Sequence, residues 1–184
     1  MSEGNEELRA LMIRYQAGSM DAFREIYAQL APGVRRYLCH LACGSETADD
    51  LLQETFLQIH RSRAAYNPAY AVKPWVFGLA RNVFLMNRRA ARRRAEVYES
   101  RQELPEFPVP PEVEKLGSTD EVRRCIAGLS TDRSEALLLH HEWGFSFEEI
   151  AGMLGISATA ARARASRGMA DLRGALVNLK RVSA

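Results

Sequence analysis

Four prolines, Pro105, Pro108, Pro110 and Pro111, crowd one short stretch near the middle of the chain. Proline has no backbone N–H and a fixed φ, so this stretch cannot continue a helix and favours extended polyproline geometry. It is also acidic: Glu96, Glu99, Glu103, Glu106, Glu112 and Glu114 are set against only Arg101 and Lys115. Structureless loops of this length are uncommon inside a compact domain. Residues 96–117 are therefore expected to be a linker between two domains, residues 1–95 and 118–184. In a chain of 184 residues each block has the size of a small domain.

Both blocks read as helical. Leu8, Leu11, Met12 and Tyr15 give a first amphipathic run that Gly18 stops. Asp21 can cap a second run with Phe23, Ile26, Tyr27 and Leu30 on one face. Pro32 and Gly33 are expected to break or kink it before Val34, Tyr37, Leu38 and Leu41 resume the pattern up to Gly44. Thr47 can cap a third helix carrying Leu51, Leu52, Thr55, Phe56 and Ile59. Asn67–Pro68 marks a turn. Pro74 suits a first helical position, with Trp75, Leu79, Asn82, Val83 and Met86 following. After the linker, Val122, Cys125, Ile126 and Leu129 make one helix, and Asp132 can cap another through Ala136, Leu137, Leu139 and His140. No segment alternates with period two for long enough to be a strand. The expected fold class is all-α: two small helical domains joined by an extended, proline-rich acidic linker.

The segment from Gly144 to Arg173 is the most specific. Ser146 and Glu149 have capping-box spacing. Phe147, Ile150, Ala151 and Leu154 form a short apolar face, and Gly155 permits a left-handed turn. Ile156 fills the corner and Ser157 caps a second helix. That helix buries Ala161, Ala165, Met169, Leu172 and Leu176 and carries Arg162, Arg164 and Arg167 elsewhere. This is a helix-turn-helix pattern whose second helix is built to enter a major groove. Arginine can donate two hydrogen bonds to a guanine edge, and Ser157 and Thr159 can bind phosphates at the helix terminus.

A second nucleic-acid signal lies upstream. Residues 61–94 hold Arg61, Arg63, Lys73, Arg81, Arg88, Arg89, Arg92, Arg93 and Arg94 and no acid, interleaved with Tyr66, Tyr70, Trp75, Phe77 and Phe84. Aromatics offer stacking platforms for unpaired bases, while cations follow the backbone. Helix core is the better reading for at least two of Trp75, Phe77 and Phe84.

Together these motifs carry a resemblance. Ala48–Arg61 (ADDLLQETFLQIHR) with Tyr66–Arg94 resembles region 2 of bacterial extracytoplasmic-function sigma factors, and Leu129–Ser157 with the helix after it resembles their region 4. The resemblance implies a protein that binds core RNA polymerase and directs it to promoter DNA, region 4 reading the −35 element as duplex and region 2 the −10 element as melted strand. It assigns Asp49, Asp50, Gln53, Glu54 and Phe56 to a polymerase-binding helix. It assigns Asn67 to Lys73 to a loop that receives an unstacked base, and Arg81, Asn82, Arg88 and Arg89 to the strand and duplex beside it. Ser157, Thr159, Arg162, Arg164 and Arg167 would meet the −35 element. It also implies an anti-sigma partner that holds the free protein until a signal releases it. Little chain follows Leu179, so a separate partner is expected rather than a built-in sensor. The free protein is expected to be a monomer. One departure stands out: where the family has a Thr-Val pair and then Leu in the recognition helix, this chain has Ala160, Ala161 and Ala165, which lets that helix sit closer to its neighbour or pack weakly.

Other classes find less support. No stretch approaches the roughly 18 apolar residues of a membrane helix, and the acidic N-terminus is unlike a signal peptide; the protein is expected to be cytoplasmic, without membrane insertion. Its three cysteines are an odd count that fits reduced thiols. Cys39, His40 and Cys43 could form a metal or redox site, but lack a CxxC or HxxxH partner set, and a helix core suits them better. There is no Gly-rich phosphate loop and no nucleophile–base pair, so neither an enzyme nor a cofactor or metal is expected. A DNA-binding regulator that works without polymerase would explain the helix-turn-helix but not the acidic helix and basic aromatic block.

Overall fold

The computed structural model describes residues 3–42, 45–95 and 119–182. The expected linker, residues 96–117, and Cys43 lie outside them. The chain divides into two compact units, Met1–Pro105 and Glu106–Ala184, a boundary that falls among the prolines. Every regular element among the described residues is helical.

The first unit holds α1 (Glu3–Gln16), α2 (Met20–Ala42), α3 (Ser45–Ser62), a 3-10 turn (Arg63–Ala65) and α4 (Val72–Ala95). Helix α2 is central and packs on α1, α3 and α4. Gly18, at φ +101°, makes the turn from α1 into α2. Ser19 caps α2, its Oγ accepting from the Ala22 amide at 3.3 Å. Asp21, the expected cap, lies in the first turn and binds Arg24 instead. Pro32 does not break α2. It costs one backbone bond, about 3 kcal/mol in a helix interior. Against that, Ile26, Leu30, Val34, Tyr37 and Leu38 are buried along one face, each contributing about 1.5–3 kcal/mol. Burial on both sides of the proline carries the helix through.

Helix α3 starts at Ser45, so Thr47 lies within it, and Pro74 is the third residue of α4 rather than the first. The buried face of α4 is Val72, Val76, Phe77, Ala80 and Val83. The expected stripe shared only Val83 with it: Trp75 and Leu79 are half-buried, Asn82 and Met86 exposed. Two overlapping apolar stripes compete on this helix, and packing on α2 selects the one that brings Phe77 to Tyr37, ring centroids 5.3 Å apart. Of Trp75, Phe77 and Phe84, only Phe77 is fully core.

The second unit holds α5 (Thr119–Ala127), α6 (Thr131–His141), α7 (Phe147–Leu154) and α8 (Ala158–Val182). Helix α8 packs on all three others, most extensively on α6. Ser134 to Leu139 are all buried. The close approach of α8 to α6 is built on small residues. Ala161 and Ala165 are buried, and a Cβ placed on Gly168 would lie 2.9 Å from the Arg133 carbonyl oxygen. At Gly168 the two helices leave no room for a side chain.

Candidate nucleic-acid interface

In the second unit the helix-turn-helix chemistry closes as the spacing requires. The Ser146 Oγ accepts from the Glu149 amide at 3.2 Å, and the Glu149 carboxylate accepts from the Ser146 amide at 2.8 Å. Gly155 ends α7 at φ +67°, ψ +38°, the left-handed conformation that β-carbons disfavour. Ser157 caps α8 through the Ala160 amide at 3.1 Å.

Burial fixes how α8 is turned. Ala161, Ala165, Leu172 and Leu176 face inward, so the 3.6-residue period puts Thr159, Ala163, Ser166 and Arg167 on the opposite side. Thr159, Ser166 and Arg167 are exposed, as is Ser157 ahead of the helix. Arg167 donates from Nε to the Ala163 carbonyl at 3.1 Å. Arg162 lies on one flank, its guanidinium 5.0 Å from the centre of the Phe147 ring. Phe147 in turn stacks on His140 at 4.3 Å, and His140 Nδ1 is hydrogen-bonded to the Phe145 carbonyl at 2.9 Å. Arg164 lies on the other flank, ion-paired with Asp132 of α6 at 3.0 Å. The sequence pattern grouped the three arginines; the structure gives them three different surroundings.

In the first unit, the turn between α3 and α4 is tightly organised. Asn67 Oδ1 accepts from the Ala69 amide at 2.9 Å, and the Asn67 carbonyl accepts from the Tyr70 amide at 3.0 Å. The Tyr66 hydroxyl donates to the Tyr70 carbonyl at 2.6 Å. Tyr66 is buried against Trp75, ring centroids 5.1 Å apart. Tyr70 is left 69% exposed, a free aromatic face beside exposed Asn67. Lys73 and Arg81 are half-buried along α4, while Asn82, Arg88, Arg89, Arg92 and Arg93 are exposed.

The acidic helix α3 is heterogeneous. Asp50, Gln53 and Glu54 are exposed; Glu54 pairs with Arg61 at 3.4 Å. Asp49 is held by Arg35 of α2 through two bonds of 2.6 and 2.9 Å. The bond from Arg35 keeps its carboxyl below the usual carboxylate range. Phe56 is buried, its ring 4.5 Å from that of Tyr27 and 6.2 Å from that of Phe23. It therefore shapes any surface on α3 from beneath. Between α3 and α4 runs an open groove with Asp50 and Glu54 on one wall, Arg89 and Arg93 on the other, and Leu51, Val83 and Met86 between them. Met86 is 67% exposed there.

Cys39 is buried, and burial pushes its thiol pKa up. Cys43 is outside the described residues, so the Cys39–His40–Cys43 grouping is not defined as a cluster.

A capped helix-turn-helix in one unit, and in the other an aromatic loop leading into an arginine-rich helix, are features of nucleic-acid-binding proteins. Comparison with known proteins names the family. The Sigma-70 region 2 profile matches residues 26–94, and the Sigma-70 region 4 profile matches residues 119–172. The chain is 37% identical over 175 residues to the RNA polymerase sigma factor CarQ of Myxococcus xanthus, covering 92% of this chain and 97% of that one. It is 30% identical over 166 residues to the ECF sigma factor SigC of Mycobacterium tuberculosis, covering 89% and 88%. Among solved structures, the fold resembles the sigma factor RpoE of Bartonella quintana, crystallised with the anti-sigma factor NepR, at a TM-score of 0.72 and 24% identity over 84% of this chain and 96% of that one. It also resembles CnrH, solved with the cytosolic domain of CnrY, at a TM-score of 0.69 and 22% identity over 94% and 98%. The chain belongs to the extracytoplasmic-function RNA polymerase sigma factors. It binds core RNA polymerase and promoter DNA and directs promoter-specific initiation. No helix among the described residues is long and apolar enough to cross a membrane.

Proposed function

We propose a division of labour within that activity. The first unit meets polymerase through the exposed Asp50, Gln53 and Glu54 of α3 and takes the melted −10 strand on the Asn67–Lys73 loop and α4. Tyr70 supplies the stacking face. Asn67, Lys73, Arg81 and Asn82 line the path of the unpaired strand, and Arg88 and Arg89 meet the phosphates of the duplex upstream. The second unit reads the −35 element with α8. Ser157 and Thr159 meet phosphates at its N-terminus, Arg167 faces the base edges, and Arg162 approaches from the flank. Arg164 joins them only if its bond to Asp132 opens. Asp49 and Phe56 serve the polymerase surface by fixing α3.

The observation that carries this reading is the outward face of α8, where Thr159, Ser166 and Arg167 stand exposed opposite a buried alanine stripe on a capped helix-turn-helix. A free sigma factor with two exposed nucleic-acid faces also suits restraint by an anti-sigma protein in the cytoplasm. The RpoE structure, solved with the anti-sigma factor NepR, supports that part.

Run-off transcription with core polymerase on a promoter library tests the assignment. Defined −10 and −35 preferences are expected, the first altered by changes in the Asn67–Lys73 loop and the second by changes on α8. A holoenzyme that opens no bubble on any template would refute it.

A further inference from the structure

The end of α1 is built onto the loop that faces nucleic acid, although α1 precedes the segment matched by the region 2 profile. Gln16 is the last residue of α1. Its Nε2 donates to two backbone carbonyls nearly fifty residues away, Arg63 O at 2.8 Å and Tyr66 O at 2.9 Å. Those two carbonyls bracket the last residues before Asn67. A primary amide carries two N–H donors, and this one uses both on the same short turn. The attachment is reinforced around it. The Tyr15 hydroxyl is hydrogen-bonded to His60 Nδ1 at 2.7 Å. Arg63 lies 5.9 Å from the centre of the Tyr15 ring and donates from Nη1 to the His60 carbonyl at 2.8 Å. Arg9, further back on α1, lies beside the Tyr66 phenol.

The loop beyond Tyr66 is held mainly by its own bonds: Asn67 to Ala69 and Tyr70, and Tyr66 to Tyr70. Such a loop keeps its internal shape but needs an anchor to fix where it sits on the domain. The Arg63 carbonyl already accepts a 3.3 Å turn bond from the Tyr66 amide, and the Gln16 amide joins it there while also binding the Tyr66 carbonyl. Without it, the Arg63 carbonyl would keep its turn bond, but the Tyr66 carbonyl would lose its donor and the turn its tie to α1, freeing Asn67 and the exposed Tyr70 to shift. A receptor for an unstacked base works only if its donors and stacking face are in place beforehand, because the cost of ordering them otherwise falls on binding.

We propose that Gln16 is a positioning residue for −10 strand recognition, clamping α1 to the Arg63–Tyr66 turn so that the Asn67–Lys73 loop is preformed for an unpaired base. This rests on the reading of that loop as the base receiver. Gln16 touches no DNA in this scheme. Its effect is on base preference at the captured position more than on overall attraction to the strand, which the arginines of α4 supply through phosphates.

The test uses the full chain reconstituted with core RNA polymerase and a pool of random-sequence single-stranded DNA. Selection with the wild-type holoenzyme is expected to enrich one base strongly at one position. Gln16→Ala should lower that enrichment about five- to ten-fold, the effect of losing two partly exposed hydrogen bonds. Its core-polymerase affinity and the enrichment at other positions should remain near wild type. Donor chemistry provides the control a merely structural role would not reproduce. Gln16→Lys keeps N–H donors for the two carbonyls and should restore most of the preference. Gln16→Glu offers only acceptors and should be at least as poor as alanine. Where Gln16→Ala lowers thermal stability, the Lys and Glu variants decide, and equal behaviour of the two would overturn the proposal. Asn67→Ala runs in parallel: if it abolishes the preference while Gln16→Ala retains it, the clamp is wrong and the receiver stands. If neither variant alters the preference, the receiver is wrong and the clamp falls with it.

Discussion

Arg164 of α8 forms an ion pair with Asp132 of α6, Nη2 to Oδ2 at 3.0 Å, which sets it apart from Arg162 and Arg167 on the same helix. Its side chain is 28% exposed and Asp132's 63%, so the pair lies at the edge of the domain. Pairs of this kind contribute about 0–1 kcal/mol. The bond matters more for direction than for stability, because it turns the guanidinium away from the outward face. Arg167→Ala is therefore expected to reduce affinity for the preferred −35 sequence about ten-fold or more and to relax preference at one base pair, the size of a lost bidentate contact. Arg164→Ala should change affinity less and leave the preference in place. Binding to a library of single-base-pair variants of the selected −35 element measures both. A larger loss of preference at Arg164 would mean that the Asp132 bond opens on DNA.

Arg162 gives a related expectation. Its guanidinium lies over Phe147, which is itself stacked on His140. A partly exposed cation–π contact is worth about 0.5–1 kcal/mol, enough to favour one orientation of a long side chain. Phe147→Leu keeps an apolar residue there but removes the π face. It should weaken −35 binding by about two- to five-fold, with no further loss when combined with Arg162→Ala. Additive losses in that double-mutant cycle would show that Phe147 acts elsewhere.

On α3, the exposed carboxylates separate from the committed one. Asp50→Ala with Glu54→Ala should weaken binding to core polymerase while leaving the thermal melt near wild type, since Asp50 is exposed and the Glu54–Arg61 pair is a surface contact. Asp49→Ala should instead lower the melt by freeing Arg35. Core-binding titrations beside thermal unfolding distinguish the two, and unchanged polymerase affinity in the first variant would remove α3 from that interface.

The elements most legible in the sequence were those whose signals are local. Ser146, Glu149, Gly155 and Ser157 specify caps and a turn through contacts within a few residues, and each adopts the geometry its spacing requires. Signals that depend on packing were read less well. Pro32 looked like a break because the sequence shows the lost backbone bond but not the burial on either side of it. The buried stripe on α4 is not legible locally because Trp75, Leu79 and Met86 are as apolar as the residues that pack. Arg164, Phe56 and Asp49 carried family roles whose local settings, an ion pair, an aromatic cluster and a bidentate clamp, are contributed by residues elsewhere in the chain. Gln16 had no signal at all: one glutamine at a helix end is featureless until the turn it grips is folded beside it.

Gly168 provides a stability test of the contact between α6 and α8. A methyl group there would meet the Arg133 carbonyl at 2.9 Å, backbone that cannot move aside as a flexible side chain would. Alanine is the better helix former by about 1 kcal/mol, but overpacking costs about 1–3 kcal/mol. Gly168→Ala is thus expected to be net destabilising, by up to about 2 kcal/mol. Gly174→Ala, on the same helix with open space around it, should be stabilising by up to about 1 kcal/mol. Urea unfolding of both variants checks the signs. A stabilised Gly168→Ala would show that α6 and α8 can separate without penalty.

The pH response of the first unit should be governed by His40. Its Nδ1 is sealed from solvent, and burial pushes the ring pKa down from 6.5 to about 4. A histidine whose folded pKa lies below its unfolded value is protonated first in the unfolded chain. Stability is therefore full above the unfolded pKa and falls as pH drops from about 6.5 toward 4. Between pH 7 and 5 the loss from this one group is about 2 kcal/mol. Asp49 contributes in a separate window. Its depressed carboxyl pKa stabilises the fold above the unfolded carboxylate range, and that contribution disappears only in more acidic solution. Urea unfolding at pH 7 and pH 5, followed at Trp75 in a Trp143→Phe background, should show the fall in the unsubstituted His40 chain and a much flatter response in His40→Asn. An equal fall in both would assign the proton uptake to another group.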